Sequence, residues 1–244
     1  MLKRGQSTAF IIIGMLIIII AIIFSYFTGL QRGLIKETKR SIQLPEHIEA
    51  VRSYIDSCIE ETVPIAVQLI SLQGGYLNPI NYLETDNIKI NYGYKDKVKL
   101  IPSIKIIENE ISKSIKEFLP LCLDFSKFPN LKIEQKEASS AVTIKENSIQ
   151  TRISYLVEIT KDDNKFILKN PFINEFPIRL GKIHNTLDSV IDYQIKRNNI
   201  DAVNLFLTGF DYSLIKYEDS IIISLADKQS KIKDKDFRFM ISTI

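Results

Sequence analysis

The run of nineteen residues from 9 to 27, AFIIIGMLIIIIAIIFSYF, contains no charged side chain and no proline. Wound as an α-helix at 1.5 Å per residue it is about 28 Å long, close to the hydrocarbon thickness of a bilayer. The run therefore predicts a membrane-attached protein. After Phe27 every isoleucine-rich stretch is interrupted within a few residues by Lys, Glu, Asp or Asn, so at most one crossing is expected. About 215 residues follow the run, enough for one large or two small cored domains.

The 32 basic and 29 acidic residues give a net charge of +3 and are interleaved along the chain. A continuous basic groove is not implied, and no nucleic-acid partner is expected. With 9 glycines, 8 prolines and no tryptophan, nothing in the composition marks a low-complexity tail. No internal repeat is present.

Ahead of the apolar run stands Met1-Leu2-Lys3-Arg4-Gly5-Gln6-Ser7-Thr8. No small-x-small cleavage site follows the run, so loss of the run as a secretory signal is not expected. The order basic pair, glycine, glutamine, two hydroxylated residues, apolar helix resembles the class III signal peptides of archaeal type IV pilin-like proteins. The resemblance covers about 25 residues. It implies cleavage of Gly5-Gln6 by a prepilin-type peptidase, with Gln6 as the mature N-terminus. One departure is clear: the glutamate that many pilins carry five residues into the mature helix is replaced by Phe10. A lateral charge contact between subunits is absent from that position.

The competing reading is an uncleaved signal anchor whose Lys3 and Arg4 hold the N-terminus in the cytoplasm. Both readings place the remainder of the chain outside. The positive-inside count opposes them, because Arg32, Lys36, Lys39 and Arg40 outnumber Lys3, Arg4 and the amino group. At 100° per residue those four bases fall on one side of a helix, opposite Leu30, Leu34, Ile35 and Ile42. This phase predicts that the helix continues to about residue 43 as an amphipathic stalk, its basic stripe facing solvent or anionic headgroups.

Pro45 opens a new helix, expected from Glu46 to Gln73. Val51, Ile55, Cys58, Thr62, Ile65, Leu69 and Leu72 form a seam with alternating spacings of four and three. Pro64 is expected to kink it. Gly74-Gly75 reads as a helix stop; no Lys-Ser or Lys-Thr follows to make a phosphate cradle. A short extended pair is expected around 88–94 and 98–101. Pro102 then precedes a helix over 103–122 with Ile104, Ile107, Ile111, Ile115, Phe118 and Cys122 on one side.

Strand signals over 131–137, 141–145, 149–160 and 165–168, with turns at Glu146-Asn147 and Asp162-Asp163-Asn164, predict an antiparallel meander. A helix over 179–197 turns Leu180, Ile183, Leu187, Val190 and Ile191 inward. Final strands are expected at 212–217, 221–225 and 237–241. The fold class is α+β: a long N-terminal transmembrane and stalk helix, then helices packed on an antiparallel sheet. The expected division is a leader-like segment 1–5, a membrane helix and stalk 6–43, and an extracytoplasmic body 44–244. The segments YIDSCIEET, LQGGYLNP, LPLCLDF and VTIKENSI resemble a group of uncharacterised membrane-anchored proteins from small-genome archaea. That resemblance spans most of residues 50–150 and implies one intact unit, but no activity.

Cys58 and Cys122 are the only cysteines, each on the apolar face of a predicted helix, and the two helices are natural packing partners. They predict a disulfide, which persists only in an oxidising compartment. The alternative is two buried, reduced thiols. His47 and His184, the only histidines, lack the close Cys or carboxylate spacing of zinc sites, and no metal or cofactor is expected. No nucleophile elbow or His-Glu-x-x-His occurs, so no catalytic residue is assigned. Glu60-Glu61 and Asp162-Asp163 read as solvated pairs. The tyrosines from Tyr76 to Tyr94, interleaved with Lys95, Lys97 and Lys99, read as half-buried sheet aromatics or as a contact surface for a glycan or protein. The chain has no Asn-x-Ser/Thr sequon, so N-glycosylation is not expected.

The sequence as a whole points to a non-enzymatic, single-pass cell-surface protein of the membrane, pilin-like or pseudopilin-like. In a homo-oligomer or filament its apolar helix would exchange lipid contacts for subunit contacts, with Gly14 as the close-approach position. The alternatives are a monomeric anchored binding or adhesion protein and, third, an extracytoplasmic enzyme.

Overall fold

The computed structural model describes residues 45–244 except 198, 201–204, 206 and 207. The leader-like segment, the membrane helix and the stalk expected over 1–43, with Gly5, Gln6 and Gly14, lie outside the described residues. Among the described residues no helix is long and apolar enough to cross a membrane. Residues Glu46–Ile244 form one compact unit. Its class is α+β, with helices on antiparallel and mixed sheets.

Helix α1, Glu46–Leu72, has Glu46 and Glu49 in its first turn, where their charge complements the positive end of the helix dipole. It runs unbroken through Pro64. The expected seam holds as far as Thr62: Val51, Ile55, Cys58 and Thr62 are all buried. Beyond Thr62 it fails. Ile65 is 40% exposed, while Val63, Ala66, Val67, Ile70 and Ser71 are buried instead. A four-and-three alternation has a period of 3.5 residues, whereas a straight helix turns every 3.6, so a strict seam drifts off the contact face. The buried stripe is also wider than a seam, because α1 packs both on a second helix and on a sheet.

That second helix, α2, spans Ile104–Cys122 and is capped by Ser103, whose side chain accepts from the Ile106 N–H. Ile107, Ile111, Ile115 and Leu119 are fully buried. Ile104, Phe118 and Cys122, expected on the same side, are only partly covered because they flank that row. The helix also buries Glu108. Its Oε1 accepts from the Ile144 N–H at 2.9 Å, and Ser112 Oγ donates to the Ser140 carbonyl at 2.7 Å. These bonds dock α2 on the strand containing both partners.

The larger sheet joins two distant pieces of chain. Strands β1 (Tyr82–Glu84), β2 (Lys89–Lys95) and β3 (Val98–Lys99) come from the first part, and β10 (Asp211–Tyr217), β11 (Ser220–Ile232) and β12 (Lys235–Thr243) from the last. The order is β1-β2-β12-β11-β10, with β3 also on β2. The expectation of a wholly antiparallel sheet is corrected here, because β12 runs parallel to β2 through Ser242↔Tyr92 and Thr243↔Tyr94. A parallel pair requires a long crossover, and everything from β3 to β11 supplies it. Phe237, Phe239 and Ile241 are fully buried at alternate positions; α1 packs on this part of the sheet. Helix α3, Leu180–Arg197, buries Leu180, Ile183, Leu187, Val190 and Ile191 as expected. Lys99 Nζ holds it to β3 through Asp188 and Asp192, at 2.8 and 2.7 Å.

Between α2 and α3 lies the meander, but the single strand expected over 149–160 is two strands. Strands β4 (Lys132–Gln135), β7 (Val157–Lys161) and β8 (Asn164–Leu168) make one three-stranded sheet; β5 (Ser139–Ile144), β6 (Ile149–Ser154) and β9 (Phe172–Phe176) make another. The pairing order is that of three long antiparallel strands, each broken at a corner. At one corner Gln135 faces Val157 and Ser139 faces Ser154, so residues 136–138 oppose only 155 and 156. That extra residue is a β-bulge, which bends the strand and sharpens its twist. At the next corner Pro171 has no N–H to continue the ladder.

Candidate functional site

Beyond the contacts that dock the helices, two further arrangements gather polar side chains from distant parts of the chain. The first begins where α1 stops. Gly74 and Gly75 have φ of +74° and +96°, and Gly75 N–H donates to the Ile70 carbonyl at 2.8 Å, closing the helix as the sequence predicts. A side chain at Gly75 has no room, since its Cβ would lie 2.5 Å from Pro102 Cγ. The chain then forms the loop 76–81, YLNPIN, pinned at both ends. Leu77 N–H donates to Glu110 Oε2 at 3.1 Å, and Tyr92 N–H donates to the Asn81 carbonyl at 2.8 Å.

Between this loop, α2 and β2 opens a cleft of about 400 Å³, within the range of small-ligand sites. Tyr76, Asn78, Ile80 and Asn81 line it from the loop, Asn91 and Leu100 from the sheet, and Glu110, Lys113 and Glu117 from α2. Asn91 is 3% exposed. Its Nδ2 donates to the carbonyls of Tyr92 at 2.8 Å and Leu100 at 3.2 Å. The amide is thereby fixed in orientation, and its Oδ1 has no hydrogen-bond partner among the described residues. Glu110 Oε1 accepts from Lys113 Nζ at 2.6 Å. That bond raises the Lys113 pKa. Burial, aided by the Glu110 charge, raises that of the Tyr76 phenol.

The second arrangement ties α3 to β11. Arg179 Nε donates to Asp227 Oδ2 at 2.8 Å, its second nitrogen binds Oδ1, and Ser230 Oγ donates to Oδ2 at 2.6 Å. Asp227 is 1% exposed. Burial pushes its carboxyl up, but the bonds from Arg179, Ser230 and the Gln229 N–H outweigh burial and hold it below the usual carboxylate range. The guanidinium also lies 5.3 Å from the Phe210 ring centre. Every Asp227 oxygen is satisfied, so this is a structural clamp.

The structure brings Cys58 and Cys122 together, with sulfurs 2.06 Å and Cα atoms 5.7 Å apart. Tyr54 reinforces that joint. Its hydroxyl donates to the Cys122 carbonyl at 3.0 Å and accepts from the Asp124 N–H at 2.9 Å. The histidines are not brought together: His47 packs edge-on to Phe166, while His184 Nε2 lies 2.7 Å from the Pro102 carbonyl. Among the described residues no group of three His, Cys, Asp or Glu could hold a metal. Glu60, Glu61, Asp162 and Asp163 are exposed. Tyr92 and Tyr94 are buried sheet aromatics, each 7% exposed, and of that group only Tyr76 reaches the cleft.

Sequence reasoning did not single out Asn91, Glu110 or the Arg179–Asp227 pair. Asn91 is a polar residue at an inward position of an apolar strand, which is the one local signal available. Glu110, three residues before Lys113, looks from sequence like an ordinary solvated helix pair. No family model, curated protein or solved structure matches the chain.

Proposed function

We propose that this is a non-enzymatic, single-pass, membrane-anchored protein whose body stands outside the cytoplasm on a pilin-like N-terminal helix. The observation that carries the reading is the charge-free run 9–27 behind the basic-glycine leader Lys3-Arg4-Gly5. The cysteine pair at bonding distance supports an oxidising location for the body. The engagement of both Glu110 oxygens, by Leu77 N–H and Lys113, favours binding over acid–base chemistry in the cleft. If the subunit polymerises, the apolar helix carries the assembly.

Mass spectrometry of the N-terminus, from membranes and from sheared surface material, is the test. A chain beginning at Gln6 and present in sheared filaments is the expected outcome, and an intact Met1 confined to membranes would overturn the pilin-like reading. A second reading, a monomeric anchored binding protein, is favoured by the rigid cleft beside Gly74-Gly75.

A further inference from the structure

We propose that the cleft between loop 76–81 and α2 is a carbohydrate site, taking a neutral, hydroxyl-rich ring. The assignment deepens the second reading above and needs only that the body binds a ligand; it does not depend on cleavage at Gly5-Gln6.

The chemistry of the walls selects the ligand. Asn91 Oδ1 is an acceptor on a residue 3% exposed, its amide protons already committed to two main-chain carbonyls. Such a fixed acceptor matches a donor of defined direction, and a hydroxyl is one. Asn78 and Asn81 add amides, each able to donate and accept, and Tyr76 adds a phenol kept in its neutral, donating form. The carbon face of a sugar ring needs an apolar counterpart, supplied by Tyr76, Leu100 and Ile80. Ile80 is 89% exposed, with no packing role that accounts for its side chain.

Charge excludes the competing classes. An anion would meet Glu110 and Glu117 with only Lys113 in its favour, and Lys113 is already bound to Glu110. A polyamine would find Glu110 neutralised by that same bond and by the Leu77 N–H, leaving Glu117 alone. The loop is held at Leu77 and at Asn81 and is flanked by two glycines in left-handed geometry. Ligand binding therefore requires little ordering. The cleft also sits at the C-terminal end of α1, about 40 Å along that helix from Glu46, where the chain enters the body.

The experiment titrates the full chain, in lipid nanodiscs free of sugar-headed detergent, with glucose, galactose, mannose, N-acetylglucosamine and their short oligomers. Spermidine and inorganic phosphate form the other two arms. Saturation binding by at least one sugar is expected, with a Kd raised roughly tenfold by Asn78→Ala or Ile80→Ala. Both positions are surface ones, so unchanged thermal unfolding separates lost binding from lost folding. Glu49→Gln, at the far end of α1, should leave binding unaltered. Binding of no sugar, sugar binding indifferent to both variants, or binding of spermidine or phosphate in place of sugar would each overturn the assignment.

Discussion

Reduction of the Cys58–Cys122 pair is expected to weaken the body by about 4 kcal/mol. The two residues are 64 apart in sequence, and in the chain-entropy model closing a loop of that length removes about 14 cal/mol/K from the unfolded ensemble. At 25 °C this entropy corresponds to the quoted figure. For a unit of about 200 residues each kcal/mol shifts the midpoint by some 2–4 °C, so reduction should lower Tm by about 8–16 °C. Comparing the oxidised and reduced forms of the same chain avoids the void that an alanine would leave around Cys58, which is 2% exposed. The assay is thermal and urea unfolding with and without dithiothreitol, preceded by alkylation and intact-mass measurement of the native protein. Two alkylated cysteines before reduction, or a midpoint that moves by less than about 3 °C, would refute the reasoning.

Asp227→Ala strands the half-buried Arg179 guanidinium and should cost about 3–5 kcal/mol in urea unfolding. Because the Asp227 pKa is depressed by folding, its contribution is complete above the ordinary carboxylate pKa and drains away as pH falls through the folded value. Acid unfolding of Asp227→Asn should accordingly show a shallower pH dependence than that of the native chain. Gly181→Ala, a change that normally strengthens a helix by about 1 kcal/mol, should instead destabilise, since the new Cβ would collide with the Lys145 carbonyl oxygen; an unchanged or raised Tm would contradict the packing described. Lys97 sits at φ +65° in the β2–β3 turn, so Lys97→Gly should stabilise by roughly 0.5–1 kcal/mol in the same assay.

The three α-helices among the described residues were legible because their apolar residues recur at helical spacing and Pro, Ser and Gly mark their ends. Side-chain period alone could not reveal which half of α1 keeps a strict seam, since Ile65, Leu69 and Leu72 are as apolar as the residues that replace them in the core. Strand β11 is expected to end at Leu225 and runs to Ile232. Its second half, Asp227-Lys228-Gln229-Ser230-Lys231, reads as solvent-loving. Asp227 lies opposite Phe237 and Lys231 opposite Asp236, so 228–230 leave the ladder, and the buried charge of Asp227 is balanced by Arg179 from 48 residues away. No local pattern encodes such a partner. The cleft is hidden for the same reason: Asn91 and Glu110 acquire their roles only when β2 and α2 meet around the loop. Tyr82–Glu84 and Phe172–Phe176, absent from the sequence reading, are short strands flanked by prolines and asparagines that read as turns.

If the body stands on a cell surface as proposed, it is pulled on, and the cysteine pair determines where such tension would go. A load entering at residue 45 can unwind only residues 46–57 before it reaches Cys58, releasing at most about 40 Å of extended chain. From there a covalent link passes the tension directly to Cys122. Every residue lining the cleft, from Tyr76 to Glu117, falls between those two cysteines. With the bond closed, that stretch cannot be drawn out from its ends. The cleft would keep its shape while the rest of the domain yields around it.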